Sequence, residues 1–343
     1  MSTTDGPPAS RPAPKPAPKP APDPAPKPAG ALQPAGARAS RIAVLVPCRN
    51  EAATIATVVA DFREALPGAA IFVYDNNSDD ATAAIAEAAG AIVRREPRQG
   101  KGNVVRRMFA DVDADIYVLV DGDDTYAARS APALVAALRE GPCDMVNGAR
   151  VADSAQAFRP GHALGNRAMT LLVRFFFGEG TRDMLSGYKV LSRRFVKSFP
   201  ASSSGFEIET ELVVHALETR MPVAEHDTPY RDRPEGSVSK LHTVRDGLRI
   251  LRLIGMLVKN ERPLAFFSLV GLVLAVLSVG LGAPVVIEFL HTGLVPRLPT
   301  AVLALGLMLA ALLAFACGVI LAAISEARRE HRRLRYLDLP PPG

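Results

Sequence analysis

The sequence predicts an α/β domain built on a mainly parallel sheet, followed by an amphipathic helix and a pair of membrane-spanning helices. Three observations carry this. Between Arg41 and about Tyr230 short apolar runs alternate with helical stretches, the pattern of strands joined by crossover helices. Several of those apolar runs end in polar, acidic clusters. Beyond residue 260, two long stretches are almost free of charge.

Taken in order, residues 1–40 hold 12 of the 29 prolines in a Pro-Ala-Pro-Lys register with almost nothing bulky to bury, which predicts a disordered tail of polyproline II character. No apolar run of signal-peptide length precedes Arg41, so the start of the chain is expected to stay in the cytoplasm. Residues 41–240 form the expected α/β domain. Its strands are Ile42 to Val46, Ile71 to Asp75, Ile92 to Arg94, Ile116 to Asp121 and Asp144 to Gly148. Helices fill the gaps at Ala52 to Ala65, Asp80 to Ala89, Gly102 to Asp111, Ala131 to Arg139 and His162 to Phe177. Residues 241–262 read as an amphipathic helix for the membrane interface. Arg245, Arg249, Arg252 and Lys259 fall on one face, and Ile250, Leu251, Ile254, Leu257 and Val258 on the other. An ordinary helix packed on the soluble domain is the alternative.

Residues 263–325 are expected to form a two-helix hairpin. Leu264 to Leu290 carries Glu288 as its only charge and Leu298 to Ser325 carries none, and each exceeds the roughly 20 residues that cross a bilayer core. Lys259 and Arg262 precede the first span. Arg328, Arg329, Arg332, Arg333 and Arg335 follow the second, in a basic tail over residues 326–343, and only Arg297 lies between the spans. The positive-inside rule then places the α/β domain and the C-terminal tail both on the cytoplasmic side of the inner membrane.

In open sheets of this kind ligands bind beyond the carboxyl ends of the strands. Here those ends read Pro47-Cys48-Arg49-Asn50-Glu51, Asp75-Asn76-Asn77-Ser78-Asp79-Asp80 and Asp121-Gly122-Asp123-Asp124. Carboxylates suit base and ribose donors, whereas acids one residue apart can face Mg2+ or Mn2+ that also holds a diphosphate. One such stretch alone is ordinary turn and cap chemistry. Three in order point to a nucleotide and a divalent metal.

On these residues the chain resembles a family 2 glycosyltransferase of the GT-A fold, in the branch of dolichyl- and undecaprenyl-phosphate sugar synthases. The resemblance covers about residues 41 to 260 and extends to the two C-terminal spans. It implies inverting, in-line transfer of one sugar from a nucleotide-diphosphate sugar, preferably of uridine, to a polyprenyl phosphate lipid. It further implies that Pro47, Asn50, Glu51, Asp75, Ser78 and Asp80 bind the nucleoside, that Asp121 and Asp123 hold Mg2+ or Mn2+, and that Lys101 lies near the sugar diphosphate. Where the family has Asp-Asp-Gly-Ser, this chain has Asp75-Asn76-Asn77-Ser78. Arg182 and Ser186, in Arg182-Asp183-Met184-Leu185-Ser186-Gly187-Tyr188-Lys189, and Arg167 one helix earlier are similar in position to residues that engage the lipid phosphate, a task suited to guanidinium forks. Arg231, Arg233, Ser237 and Lys240 resemble a loop that folds over the donor diphosphate, with Arg233 or Lys240 stabilising the departing nucleoside diphosphate. Glu209 and Glu211 read either as contacts to sugar hydroxyls or as acids at a helix N-terminus.

Other classes fit less well. The net charge of +5 resides largely in the tail and around the spans, which favours a membrane over nucleic acid as partner. Cys48, Cys143 and Cys317 have no paired spacing, so no disulfide framework or zinc site is expected. The Gly-Lys-Gly at residues 100–102 lacks P-loop spacing. A processive polysaccharide synthase of the same fold resembles its relatives in a Gln-x-x-Arg-Trp motif, and this chain has no tryptophan. A nucleotidyltransferase would carry a Gly-rich loop where Pro47 to Glu51 stands. A catalytically silent scaffold is opposed by the intact Asp121 and Asp123. A homo-oligomer is compatible with the sequence.

Overall fold

The computed structural model describes residues 40–152, 170–171, 173–175, 178, 181–231, 233 and 243–341. All of the expected tail over residues 1–40 except Ser40, most of the expected helix His162 to Phe177, and the expected site residues Arg167, Ser237 and Lys240 lie outside them. Residues 170–171 and 173–175 of that helix are helical.

Seven strands form one sheet in the order β3-β2-β1-β4-β6-β5-β7. They are β1 (Ile42–Cys48), β2 (Ala70–Asp75), β3 (Ile92–Arg95), β4 (Ile116–Leu119), β5 (Met145–Ala152), β6 (Lys189–Ser192) and β7 (Val223–Tyr230). β1 runs parallel to β2 and β4, β2 to β3, and β5 to β7, while β6 is antiparallel to both β4 and β5. Six strands therefore end on the same edge, and the chain reverses its order of strand addition between β1 and β4. Ligand crevices form at such switch points.

The five expected strands are present, with β4 ending at Leu119 rather than Asp121 and β5 running on to Ala152. β6 and β7 were not expected. β6 is only four residues, Lys-Val-Leu-Ser, and β7 carries Glu225, His226, Asp227 and Pro229, which hides its period on an edge strand.

Helices α1 (Ile55–Ala65), α2 (Thr82–Ala88) and α4 (Ala131–Glu140) cover one face of the sheet, burying Ile55, Val58, Val59, Phe62, Leu134, Val135 and Leu138 against Val44, Val46, Val118 and Val190. On the other face lie α3 (Lys101–Asp111), α5 (Arg193–Ser198), α6 (Ile208–Glu218) and α7 (Thr243–Glu261). α1 begins at Ile55, three residues later than expected; residues 52–54 form a turn, and the backbone N–H groups of Glu51 and Ala52 bond across to Thr82 and Asp80.

α7 is the expected amphipathic helix, but its apolar stripe is shared. Ile254 and Val258 are buried in the core of the soluble domain, with Leu257 packed against it, whereas Leu248, Leu251 and Met256 are exposed. α8 (Pro263–Thr292) and α9 (Leu298–Leu337) are long and apolar enough to cross a membrane. They pack along positions seven apart that are mostly small residues, Gly271, Ser278 and Val285 on α8 facing Ala304, Ala311, Gly318 and Ser325 on α9. The Ser278 hydroxyl donates to the Ala304 carbonyl at 2.7 Å.

The expected basic tail is a helical extension of α9 that docks on the domain. Arg329 and Arg332 pair with Glu218 and Glu261 at 2.8 Å each, and the Tyr336 hydroxyl donates to Asp144 at 2.7 Å. Arg328, Arg333 and Arg335 remain exposed.

Beneath this extension His215 is buried, its Nε2 3.2 Å from Ser198 Oγ and its ring edge-on to Phe195 and Phe199 at 5.2 and 5.3 Å. Burial, reinforced by the Arg332 charge, pushes its pKa down to about 3. The unfolded chain takes up a proton near pH 6.5 and the folded one does not, so stability is fully present above pH 6.5 and is lost as pH falls toward 3. Between pH 6.5 and 5 this amounts to about 2 kcal/mol. A His215→Phe variant is expected to lose that part of the acid sensitivity, measured as the difference in Tm between pH 7 and 5. An unchanged difference would remove His215 as its source.

Candidate active site

The site is assembled at the carboxyl edge, on both sides of the β1–β4 seam. The loops after β1 and β2 are stitched together: the Asn50 N–H donates to Ser78 Oγ at 2.9 Å, the Asp79 N–H donates to Asn50 Oδ1 at 2.8 Å, and the Glu51 N–H donates to Thr82 Oγ1 at 2.8 Å. Asn50 sits at φ 50°, a conformation asparagine tolerates better than most residues. Buried Asp75 accepts from the Ser78 N–H at 3.2 Å, and Asp80 accepts from the N–H groups of Thr82 and Ala52. Pro47 is half-buried in β1, in register with Tyr74. The structure thus brings Pro47, Asn50, Glu51, Asp75, Ser78 and Asp80 into one cluster, in which Asn50, Ser78 and Asp80 also build the loops.

Asn76, where the sequence departs from the family pattern, has a specific task. Its Nδ2 donates to the carbonyls of Glu96 and Arg98 at 2.8 Å each, and its Oδ1 accepts from Gln99 Nε2 at 3.0 Å and the Gly100 N–H at 2.7 Å. A carboxylate cannot donate. Asn76→Asp is therefore expected to cost about 2 kcal/mol, by leaving the buried Glu96 carbonyl and the part-buried Arg98 carbonyl facing a charge, and a Tm within 1 °C of the parent would refute this account.

The loop that Asn76 holds leads into Gly100-Lys101-Gly102. A Cβ on Gly102 would stand 2.3 Å from the Ser203 carbonyl oxygen, so glycine there permits the approach of the segment preceding α6. That approach delivers Lys101 Nζ to within 2.5 Å of both Asp121 Oδ1 and Glu209 Oε1. Burial disfavours the Lys101 ammonium, but the two carboxylates outweigh it and raise its pKa. Burial likewise works against the Asp121 carboxylate, while Lys101, and then Arg233 and Arg150, bring its pKa below the usual range. Glu209 moves the other way, raised by burial, and its Oε2 has no hydrogen-bond partner among the described residues. Glu211 has a structural task, accepting from the N–H groups of Ser202 and Ser203 at 2.7 Å each.

Asp123 is buried. Its Oδ1 accepts from the Thr125 hydroxyl at 2.6 Å and its Oδ2 pairs with the Arg233 guanidinium. Arg233 arrives there because the segment after β7 is pinned by the Arg231 N–H donating to the Thr125 carbonyl at 2.9 Å. Among the described residues no group of three or more His, Cys, Asp or Glu is placed to enclose a metal. Two hard carboxylates one residue apart fit a Mg2+ or Mn2+ that draws its other ligands from a diphosphate and water.

On the far side of the crevice Arg150, at the end of β5, forms a two-armed ion pair with Asp183, both contacts at 2.7 Å. Arg182 is 70% exposed and is braced by Glu225 at 2.9 Å and Asp227 at 2.6 Å. Ser186 is fully buried and donates to the Gly148 carbonyl at 2.5 Å, so the structure does not bring its hydroxyl to the crevice where the resemblance implied it. Lys189 is also fully buried, donating to Asn147 Oδ1 and the Ser186 carbonyl at 2.7 Å each, and burial pushes its pKa down to about 8. Arg150, Asp183, Lys189, Glu225 and Asp227 were absent from the sequence-based site. Arg150 follows the expected strand Asp144 to Gly148 and was legible by the strand-end rule, although β5 runs past it to Ala152, but Glu225 and Asp227 lie on the unexpected β7.

Comparison with known proteins agrees with this architecture. Residues 43–199 match glycosyl transferase family 2. The glycosyltransferase AglJ of Haloferax volcanii is 35% identical over 254 residues, which span 72% of this chain and 82% of that protein. A dolichyl-phosphate hexose transferase of the same organism is 28% identical over 222 residues, 64% of this chain and 95% of that one. Among solved structures, glucosyl-3-phosphoglycerate synthase from Mycobacterium tuberculosis, in complex with Mn2+, uridine diphosphate and glucosyl-3-phosphoglycerate, superposes with a TM-score of 0.53 at 25% identity, over 64% of this chain and 80% of that one. The fold and these likenesses define a glycosyltransferase of the GT-A type. The chain belongs to glycosyltransferase family 2.

Proposed function

We propose that this enzyme transfers a single sugar from a nucleotide-diphosphate sugar, with uridine diphosphate as the preferred carrier, to a polyprenyl phosphate of the undecaprenyl type. The product is a lipid-linked sugar donor for cell-envelope glycan or lipid modification. The observation that carries this reading is the seating of the catalytic domain on the apolar hairpin. α7 buries Ile254 and Val258 in the domain core, and the end of α9 is tied to the domain through Arg329, Arg332 and Tyr336. A catalytic domain tied in this way to two membrane-length helices suits an acceptor whose reactive phosphate lies at the bilayer surface. The names of the archaeal dolichyl-phosphate relative and the uridine-diphosphate neighbour point the same way. In this reading residues 41–240 carry the chemistry on the cytoplasmic side of the inner membrane, residues 241–262 border the interface, and residues 263–325 are the membrane anchor.

The chain's own residues would divide the work as follows. Asp75, Ser78, Asn50 and Glu51 face the nucleoside, with Pro47 and Asp80 shaping that pocket. Asp121 and Asp123 would hold Mg2+ or Mn2+, which when bound neutralises charge on the departing diphosphate. Lys101 and Arg233 add positive charge beside that leaving group. Arg182, with Arg167 and Lys240 from segments outside the described residues, would orient the acceptor phosphate and close over the donor. A phosphate monoester is already anionic at neutral pH, so positioning rather than proton abstraction dominates. Attack from the face opposite the leaving group inverts the anomeric centre.

The test is transfer of radiolabelled sugar from a panel of nucleotide sugars to undecaprenyl phosphate in detergent, with and without Mg2+ or Mn2+, alongside Asp123→Ala. One labelled lipid that requires metal and disappears in the variant is the expected result. Nucleotide binding without any labelled lipid would sink the acceptor assignment.

A further inference from the structure

We propose that Arg233 is a surrogate cation on the metal-binding carboxylate, so that the free metal is held off until a nucleoside diphosphate draws the guanidinium away. The inference rests on the reading of Asp121 and Asp123 as the metal-binding pair.

Both oxygens of Asp123 are in use. Oδ1 accepts from the Thr125 N–H at 3.2 Å and its hydroxyl at 2.6 Å, and Oδ2 carries the guanidinium of Arg233, in a carboxylate only 4% exposed. Asp121, 29% exposed, is also paired with a cation, since its Oδ1 carries Lys101 Nζ at 2.5 Å. Each candidate metal ligand is thus already neutralised by a side-chain cation from a distant part of the chain. A divalent ion entering alone would meet a guanidinium on the oxygen it needs, at a distance where like charges repel strongly.

The two cations differ in how they are held. Lys101 is 8% exposed and bridges to Glu209 as well, so it stays in place when Asp121 turns to a new partner. Arg233 is 31% exposed and stands just beyond the end of β7, two residues past the point where the Arg231 N–H bonds to Thr125. A diphosphate offers that planar guanidinium a two-armed acceptor in exchange for one carboxylate oxygen. Moving it frees Asp123 Oδ2 for the metal as the diphosphate supplies further oxygen ligands. Metal and nucleotide affinities are therefore coupled through Arg233, and the coupling is reciprocal.

Mn2+ binding to the full-length protein in detergent, followed by the loss of the free-ion electron paramagnetic resonance signal, tests this without turnover. Titrations are run with Mn2+ alone and with UDP or GDP, on the parent, Arg233→Gln, Arg231→Gln and Asp123→Asn. Arg233→Gln is expected to tighten binding of Mn2+ alone by about 10-fold and to shrink the enhancement by nucleotide by a similar factor. Arg231→Gln, which removes the same charge two residues away, is expected to stay within about 3-fold. Unchanged or weaker binding of Mn2+ alone by Arg233→Gln, or equal tightening in Arg231→Gln, would overturn the proposal. Undiminished Mn2+ binding by Asp123→Asn would instead overturn the metal assignment beneath it.

Discussion

Asparagine in place of Asp121 is expected to cut sugar transfer by about 1,000-fold or more, the scale on which a charge-stabilising group in a water-poor site contributes. Asp121 stands where three segments meet: the loop that leaves β4, Lys101 at the start of α3 and Gly187 ahead of β6. The amide would keep the size of the side chain and lose the charge. Lys101 would still pair with Glu209 at 2.5 Å, so the fold should survive and Tm should change by only a few degrees. Gly187→Ala supplies the complementary experiment. Its new methyl would fall 2.3 Å from Asp121 Oδ2 and 2.9 Å from Cγ, forcing the carboxylate aside with its charge intact. A comparable loss is expected from that variant. Asparagine at 121 with more than a tenth of parental activity would show that the acid is not part of the chemistry.

The largest effect on stability is expected from Asp144→Ala. Asp144 is fully buried at the entry to β5, and its carboxylate accepts from Arg194 at 2.5 and 3.0 Å, from Ser192 Oγ at 2.7 Å and from the Tyr336 hydroxyl at 2.7 Å. The Arg194 guanidinium also stacks 4.6 Å over the Tyr336 ring. Removing one partner of a buried pair typically costs about 3–5 kcal/mol, because the remaining charge is stranded. Arg194 keeps some solvent access, which places the expected cost near the lower figure and the fall in Tm near 10 °C. Tyr336→Phe loses one hydrogen bond from the same cluster and should cost only about 1 kcal/mol. The two variants separate a buried charge hub from a simple tether for the end of α9. Equal small shifts in both would favour the tether.

Much of this architecture was legible because its signals are local. Five strands, the helices between them and both apolar spans follow from hydrophobic period and length, which act over neighbouring residues. Pro47 to Glu51, Asp75 to Asp80 and Asp121 to Asp123 stood out because a parallel sheet exposes its carboxyl ends together. β6 and β7 escaped because a four-residue strand with a lysine at its head, and an edge strand with three charged or titratable residues and a proline, carry no clean alternation.

By itself the sequence determined the class of fold, the polar strand ends that converge on the crevice, and two helices long enough to cross a membrane. Tertiary structure alone decided how the charges pair. Lys101 meets Glu209 because two glycines let the α3 and α6 segments touch, Arg233 meets Asp123 because β7 lies along β5, and Asn76 replaces an acid because four loop groups need both a donor and an acceptor. It also turned Ser186 inward onto Gly148 and folded the basic end of α9 back onto Glu218 and Glu261. The physical reason is range. Periodicity is a property of adjacent residues, whereas a buried ion pair or an amide clamp depends on which strands become neighbours, and the order of strands in the sheet is set by the packing of the whole domain.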